Sequence, residues 1–178
     1  GGKDRDSASM IGLLELARAP LAANSAPVIA NLDGDSVTYT EGQDAVALDA
    51  GADATITDGD SANFDGGSLT VSITANGHGS EDVLSIRTGG EAGSVIGVNG
   101  SSVSYNGVEI GTVSGGSEGH DLVVAFNANA TPEAVQALTR ALTYQNSNNS
   151  DPSTDTRSIS ITIGDGDDGT SSTATLQV

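Results

Sequence analysis

The sequence predicts an all-β domain of antiparallel strands with one short helix. Over residues 27–178, short runs rich in Val, Ile, Thr and Ser alternate with clusters of Gly, Asn and Asp at roughly regular spacing. Some runs alternate strictly, so that Leu69, Val71 and Ile73 share one face of a strand. A chain of 178 residues is long enough for one domain with a hydrophobic core. Together these observations predict an antiparallel β-sandwich or barrel.

The apolar runs give the predicted strands in chain order: 27–32, 36–40, 45–49, 54–57, 68–75, 83–87, 94–98, 102–105, 108–114, 121–127, 141–145, 157–163 and 170–178. Asn99-Gly100 and Asn106-Gly107 are hairpin-turn dipeptides, because Asn and Gly accept the positive φ of a type I′ turn. We therefore expect residues 94–113 to form an extra, Gly-rich β-meander.

One segment has a helical pattern. Thr131 can cap a helix, Pro132 suits its first position, and Glu133 would lie near the positive end of the helix dipole. An apolar stripe of helical spacing follows, formed by Val135, Leu138 and Leu142. The pattern predicts a helix over 132–141, lying across an open end of the β-structure.

Residues 1–26 differ from the rest and are interpreted as an N-terminal arm preceding a domain of residues 27–178. Three basic residues balance three acidic ones in the arm, so the net charge of −18 falls on the domain. The middle of the arm is the most apolar stretch of the sequence, and its candidate docking residues are Ile11, Leu13, Leu14, Leu16 and Leu21. The arm either packs on its own domain or docks on a neighbouring subunit, because so many exposed apolar side chains would promote aggregation.

Composition excludes several classes of function. With 24 Asp and Glu against 6 Lys and Arg, the chain would be repelled by nucleic acids and by anionic membranes. There is no Cys, so neither disulfides nor thiolate chemistry are available. No run approaches the roughly 18 apolar residues of a membrane-spanning helix, so we expect no membrane insertion.

Two loops between predicted strands are dense in acidic residues, over residues 58–67 and 165–169. Carboxylates at this spacing repel one another unless a hard cation neutralises them, and Ca²⁺ accepts the flexible oxygen ligation that such loops offer. Asp and Gly also form ordinary turns, which is the alternative interpretation. Neither loop is an EF-hand, because the bidentate Glu at the twelfth position is absent.

Several of these motifs occur in a known order. Residues 24–28 (Asn-Ser-Ala-Pro-Val) open the first strand, and Glu41-Gly42 precedes the second. Asp58-Gly59-Asp60 with Asn63 follows, and residues 159–176 run from an Ile-Ser-Ile-Thr-Ile strand through the second acidic loop. Together they resemble the cadherin-type repeat, and more closely the bacterial cadherin-like repeats of large secreted adhesins and surface proteins.

The resemblance implies an immunoglobulin/cadherin-like antiparallel β-sandwich and a set of calcium ligands. By their positions in the motifs, the ligands would be Asn24, Glu41, Asp58, Asp60 and Asp165. In an immunoglobulin-like sandwich, the loop between the second and third strands and the last hairpin loop lie at the same end. We therefore expect Asp58, Asp60 and Asp165 to converge, with Asp65 and Asp167 as further candidates and Glu41 at the opposite end.

The resulting expectation is a non-enzymatic, calcium-binding structural or adhesion domain of an extracellular bacterial protein, such as a surface adhesin or a biofilm matrix component. Its partners would be neighbouring copies or repeats of the same protein, together with a cell-surface or glycan ligand. It is either one repeat of a large adhesin or a filament subunit whose arm adds a strand to the next subunit. The alternative is a carbohydrate-binding module of a secreted multidomain protein, although the chain has no Trp and few aromatic residues for a sugar platform.

Overall fold

The computed structural model describes residues 20–178, which form twelve strands and one helix. In chain order these elements are β1 (Val28–Ala30), β2 (Val46–Ala47), β3 (Thr55–Thr57), β4 (Ser68–Ala75), β5 (Asp82–Ile86), β6 (Ile96–Asn99), β7 (Ser102–Tyr105), β8 (Val108–Ser114), β9 (Leu122–Phe126), α1 (Pro132–Arg140), β10 (Leu142–Asn146), β11 (Ser158–Gly164) and β12 (Ala174–Gln177).

The strands form three sheets, and every strand pairing is antiparallel. The largest sheet has seven strands in the order β12-β11-β4-β9-β8-β7-β6, the second has the order β2-β10-β5, and β1 pairs with β3. The predicted all-β fold of antiparallel strands is therefore confirmed. Among residues 20–178, no helix has the length and apolar character that are needed to cross a membrane.

The hydrophobic core follows from the period-two pattern of the long strands. On β11, Ile159, Ile161 and Ile163 are fully buried, and the last two pair across the sheet with Val71 and Leu69 of β4. Buried side chains of β5 and β10 belong to the same hydrophobic cluster, so the two larger sheets share one core. Each such aliphatic side chain contributes about 1.5–3 kcal/mol on burial.

The helix begins where the capping signals predict. The Thr131 hydroxyl accepts a hydrogen bond from the Ala134 backbone N–H at 3.2 Å, and Pro132 is the first helical residue. Val135 and Leu138 are fully buried, and the helix packs against β3 and β7. It ends at Arg140, so Leu142, expected on the same stripe, is instead a buried residue of β10.

The predicted strand over 36–40 is wrong. The chain meets β12 only briefly, through a parallel bridge between Ser36 and Gln177 and a 2.9 Å hydrogen bond from the Val37 N–H to the Gln177 carbonyl. It then leaves the sheet, and the Tyr39 ring packs edge-to-face on Tyr144 at a centroid distance of 5.6 Å. Aromatic packing at this position takes precedence over strand pairing.

The last strand is also shorter than predicted, covering Ala174–Gln177 rather than 170–178. Ser171 lies in the preceding loop: its N–H donates to the Ile163 carbonyl, and its hydroxyl accepts from the Ile163 N–H. A side-chain hydroxyl thus takes the place of a strand partner at this position.

Of the two predicted hairpin turns, one has the predicted geometry. Asn106 and Gly107 have φ values of 52° and 82°, as a type I′ turn requires. The other turn is displaced by one residue, because Asn99 pairs with Ser102 and leaves Gly100-Ser101 as the two central residues. Positive φ is confined there to the first central residue, Gly100 at 61°, which is the pattern of a type II′ turn.

Candidate metal centre

The first acidic loop connects β3 to β4 and is organised around Asp58. Its Oδ1 accepts hydrogen bonds from the backbone N–H groups of Asp60 and Ser61, both at 3.1 Å. Further along, Asn63 Oδ1 accepts from the Asp65 N–H, and the fully buried Phe64 ring anchors the loop in the core. These turns hold the loop in one shape while Asp60 and Asp65 remain exposed.

The second acidic loop connects β11 to β12 and is organised around Asp165. This carboxylate is 1% exposed, and its Oδ1 accepts from the backbone N–H groups of Asp167 and Gly169 at 2.8 and 2.9 Å. The loop is also closed by a 3.1 Å hydrogen bond from the Asp165 N–H to the Gly169 carbonyl. Asp167 is exposed.

The two loops lie against each other at one end of the large sheet. The reason is the register of β4 and β11, which pairs Ser68, just after the first loop, with Gly164, just before the second. A Cβ on Gly67 would overlap the Gly164 carbonyl, and a Cβ on Gly166 would overlap the Asp65 carbonyl. Only glycine permits the backbones to approach this closely.

The segment before β1 joins both loops. The Asn24 side-chain amide donates to Asp165 Oδ2 at 2.8 Å, and the Ser25 backbone N–H donates to Asp60 Oδ2 at 2.9 Å. Asn24, Asp58, Asp60 and Asp165 therefore belong to one connected set of groups, in which Ser25 contacts the first acidic loop and its neighbour Asn24 contacts the second.

The environment of Asp165 favours its ionised form. Burial raises the pKa of this carboxyl group, but the hydrogen bonds from Asn24 and from the backbone N–H groups of Asp167 and Gly169 outweigh burial and leave the pKa below its ordinary value. A buried, ionised carboxylate is the form that a divalent cation requires as a ligand.

Two further features fit a hard cation at this place. Asp58 Oδ2 is buried and has no hydrogen-bond partner among residues 20–178, so one anionic oxygen of the loop is left unpaired. A Cβ on Gly169 would overlap Asp165 Oδ2 and crowd the Asn24 amide, so the loop leaves room around these groups that any other residue would fill. Carboxylate and amide oxygens are also the ligand types that Ca²⁺ prefers.

The predicted ligands are not all at this end. Glu41 is exposed and lines a cleft together with residues 152–157 and the end of β12. This cleft lies beside the start of β11, whereas Asp165 follows the end of β11, so the two residues are at opposite ends of that strand. In the part of the chain that the structure describes, no three Asp, Glu, His or Cys side chains form a compact metal-binding cluster. The charged groups at the acidic end are instead interleaved with the Asn24 amide and the Ser25 N–H.

The predicted docking residues Ile11, Leu13, Leu14 and Leu16 lie outside the described residues. Leu21 is described, and its side chain is 97% exposed.

Sequence reasoning did not identify a buried ionic cluster at the opposite end of the large sheet. Asp82 Oδ1 accepts hydrogen bonds from the Tyr144 hydroxyl at 2.6 Å and from Arg157 Nε at 3.0 Å, and it forms an ion pair with Arg157 Nη2 at 3.0 Å. All three residues are at most 4% exposed. Burial and then the hydrogen bond to Asp82 raise the pKa of Tyr144. The only signal in the sequence was an Arg and a Tyr within strands of an otherwise acidic chain.

Next to this cluster, Glu81 holds the loop before β11. Its Oε2 accepts from the Asn146 side-chain amide at 2.8 Å and from the Ser153 N–H at 3.1 Å, and these two hydrogen bonds lower the pKa of Glu81. Arg157 Nη1 donates to the Ser153 carbonyl at 2.7 Å. The cluster is thus paired internally, which is typical of a structural rather than a ligand-binding role.

Comparison with protein-family models, with curated proteins and with solved structures produced no match.

Proposed function

We propose that this chain is a non-enzymatic, calcium-binding structural or adhesion domain of an extracellular bacterial protein. The observation that carries the proposal is the connection of two acidic loops, more than a hundred residues apart in sequence, through Asn24 and Ser25. Neighbouring carboxylates repel one another, so an arrangement of this kind gains stability from a cation that neutralises them.

The strand order supports the immunoglobulin/cadherin-like type of sandwich. In that fold, one sheet contains the second, fifth and fourth strands as neighbours, and the other contains the seventh, sixth and third. With β3 and the strands β6–β9 set aside, seven strands remain, and the order β2-β10-β5 then matches the first sheet and β12-β11-β4 the second; β1 departs from the pattern, because it pairs with β3 rather than with β2. The meander then extends the second sheet from β4 through β9.

In this proposal, Asp58, Asp60 and Asp165 supply carboxylate oxygens, and Asn24 supplies its amide oxygen by a rotation that exchanges its oxygen and nitrogen. Asp65 and Asp167 are close in sequence to these ligands and add negative charge. Glu41 lies at the other end, so it belongs to a separate contact, with a neighbouring repeat or molecule. The bound ion supplies charge neutralisation and a cross-link between the N-terminal segment and two loops.

The functional consequence is mechanical. The cross-link joins residues 24–25 to the ends of β3 and β11, so the chain entering the domain is held against its core strands. A domain that transmits force between neighbouring repeats or subunits needs such a rigid entry point. The same ion would offset part of the net charge of −18, which otherwise favours expansion.

The test is thermal unfolding in EGTA, in millimolar Ca²⁺ and in millimolar Mg²⁺. At a hundredfold excess over Kd, a ligand that binds only the native state adds about 2.7 kcal/mol to the free energy of unfolding. For a domain of this size that corresponds to an increase in Tm of roughly 5–11 °C. Mg²⁺ should give a much smaller increase, because it demands octahedral geometry and retains its waters. An identical Tm in EGTA and Ca²⁺ would contradict the proposal.

We also propose that residues 8–22 of the arm dock on a neighbouring copy and build a filament, while Asn24 and Ser25 stay bound to their own domain. The support is the apolar character of its middle and the almost complete exposure of Leu21. Donor and acceptor surfaces would differ, and such a heterologous contact gives an open filament unless its rotation closes a ring. Burying four or five Leu or Ile side chains contributes roughly 1.5–3 kcal/mol each, enough to offset the ordering of the arm.

Size-exclusion chromatography with light scattering tests this, using the full chain, a variant lacking residues 1–22, and a full-length Leu13→Ser/Leu16→Ser variant. The full chain should assemble, and both variants should be folded, calcium-responsive monomers. A full chain that remains monomeric at high concentration would mean that the arm packs on its own domain.

A further inference from the structure

The described part of the chain contains three arginines and no lysine, and two of the arginines line one cleft. Arg157 is buried and paired with Asp82. Arg87, just after β5, and Arg140, at the end of α1, both line a cleft of about 430 Å³ between the helix and the start of the meander. In a domain with a large excess of carboxylates, this gathering of positive charge creates a local site for an anion.

Neither arginine is neutralised by the domain itself. Within residues 20–178, Arg87 and Arg140 form no salt bridge with a carboxylate, because all the ion pairs there involve Arg157 or His78. Arg140 is nevertheless held in place, since its Nε donates to the Ala54 carbonyl at 2.8 Å. That bond fixes the plane of the guanidinium group and leaves its two terminal amino groups for a ligand.

The remaining walls combine polar and apolar groups. The Glu91 carboxylate, which accepts hydrogen bonds from hydroxyl groups, and the Ser94 hydroxyl, which can accept or donate them, line the cleft; with Arg87, Arg140 and Glu91 the cleft carries one net positive charge. Ala137, which is half-buried on the helix, provides an apolar surface on which C–H groups can pack. A volume of about 430 Å³ lies within the range of small-ligand sites in proteins.

We infer that this cleft binds a sugar acid, that is, a saccharide unit that carries one carboxylate. The planar guanidinium fork pairs with a carboxylate through two parallel hydrogen bonds. Hydroxyl groups and C–H faces of the same unit would be recognised by the polar and apolar walls. A single carboxylate is favoured over a densely charged polyanion, because a polyanion would bring further negative charges within the screening length, about 8 Å, of the domain's excess carboxylates.

The inference goes beyond the proposed calcium-binding role and does not depend on it, since the cleft and the acidic loops involve different residues. The protein, in EGTA and at physiological salt, is titrated with galacturonic acid while the backbone amide signals are followed by NMR. Galactose, which has a hydroxymethyl group in place of the carboxylate, and acetate, which has no sugar ring, are the matched ligands. Shifts should be confined to residues around the cleft, and both matched ligands should bind at least tenfold more weakly.

Three variants sharpen the result. Arg87→Gln should weaken galacturonic acid binding by about tenfold or more, as expected for a lost charge-assisted hydrogen bond. Arg87→Lys keeps the positive charge but lacks the planar guanidinium group with its two parallel donors, so its affinity should lie between those of Arg87→Gln and the wild type. Ser117→Asp makes the same change in net charge on an exposed loop elsewhere, and should leave binding unchanged.

Four results would overturn the inference. The first two are amide signals at the cleft that do not shift saturably with galacturonic acid, and galactose or acetate binding as tightly as galacturonic acid. The other two are Ser117→Asp weakening the binding as much as Arg87→Gln does, and a protein that binds no sugar but self-associates in a way that Arg87→Gln abolishes. The last result would identify a carboxylate of a second copy as the occupant. Calcium-dependent melting is recorded on the same samples, so failure of the sugar site and failure of the calcium site are distinguishable.

Discussion

Replacing Asp165 with alanine is the most informative perturbation, because this carboxylate has both a structural and a proposed metal-binding role. It is 1% exposed and accepts three hydrogen bonds, from Asn24 Nδ2, the Asp167 N–H and the Gly169 N–H, at 2.8–2.9 Å. Asp165→Ala removes all three acceptor contacts and leaves the donors of the loop without their partner.

The expected loss can be estimated from these contacts. Hydrogen bonds to charged groups contribute about 1.5–3 kcal/mol each, but all three donors belong to exposed or half-buried residues that water can reach after the change. We therefore expect a loss of about 3 kcal/mol in EGTA. In saturating Ca²⁺ the lost ion linkage adds about 2.7 kcal/mol, so the total loss should be close to 6 kcal/mol.

Urea unfolding followed by circular dichroism measures both values, with and without Ca²⁺. The matched control is Asp151→Ala, because Asp151 is exposed and lies in a polar loop, and its carboxylate, unlike its backbone carbonyl, accepts no hydrogen bond from the described residues. Its loss should be below about 0.5 kcal/mol in both conditions. If Asp165→Ala costs the same with and without Ca²⁺, Asp165 stabilises the loop but is not a ligand. If both variants respond alike, the acidic loops act only through bulk charge.

Three further predictions follow from single contacts. Asp58→Asn keeps an oxygen at Oδ1 for the hydrogen bonds of the turn and replaces the unpartnered Oδ2 with an amino group. It should change Tm in EGTA by less than about 2 °C and abolish most of the increase in Tm that Ca²⁺ causes. A full calcium-dependent increase would contradict the assignment of Asp58 as a ligand. The fold lowers the pKa values of Asp165 and Glu81, so both carboxylates stabilise the native state fully above the ordinary carboxyl range, near pH 4, and this stabilisation is lost as pH falls through the lower folded pKa values. Urea midpoints measured at pH 7, 5, 4 and 3 should therefore fall more steeply for the wild type than for Asp165→Ala. Tyr144→Phe should lower the free energy of unfolding by about 1–2 kcal/mol, because Asp82 keeps its contacts with Arg157. Arg157→Ala should lower it by about 3–5 kcal/mol, because the buried Asp82 carboxylate loses its counter-charge. Equal losses in urea unfolding would show that the Asp82–Arg157 ion pair is not the main support of this cluster.

Much of the local structure could be predicted because it depends on short-range chemistry. The strands over 68–75, 102–105 and 108–114 were predicted with their observed bounds, since alternating apolar residues between turn signals leave few alternatives. The helix was predicted to within one residue because Thr131 and Pro132 specify its start. The strand over 36–40 was wrongly predicted because the packing of Tyr39 on Tyr144 depends on a residue more than a hundred positions away.

Some residues of the candidate metal centre could be predicted from the sequence and others could not. The sequence pointed to Asp58, Asp60 and Asp165 because acidic side chains in Asp/Gly loops are a local signal, whereas Asn24 was named only from the resemblance to cadherin-like repeats. It did not reveal that Ser25 contributes its backbone N–H, since any residue type offers that group and only the fold brings it to Asp60.

By itself, the sequence determined the all-β character of residues 27–178, the helix that begins after Thr131, the charge and the two acidic loops, because each depends on residue type and short-range spacing. Only the tertiary structure decided which loops meet, which carboxylates are buried, and that Arg87 and Arg140 share one cleft. Strand register is the physical reason: pairing Ser68 with Gly164 brings together loops that are far apart in the chain, and such long-range pairing leaves no pattern in either segment alone.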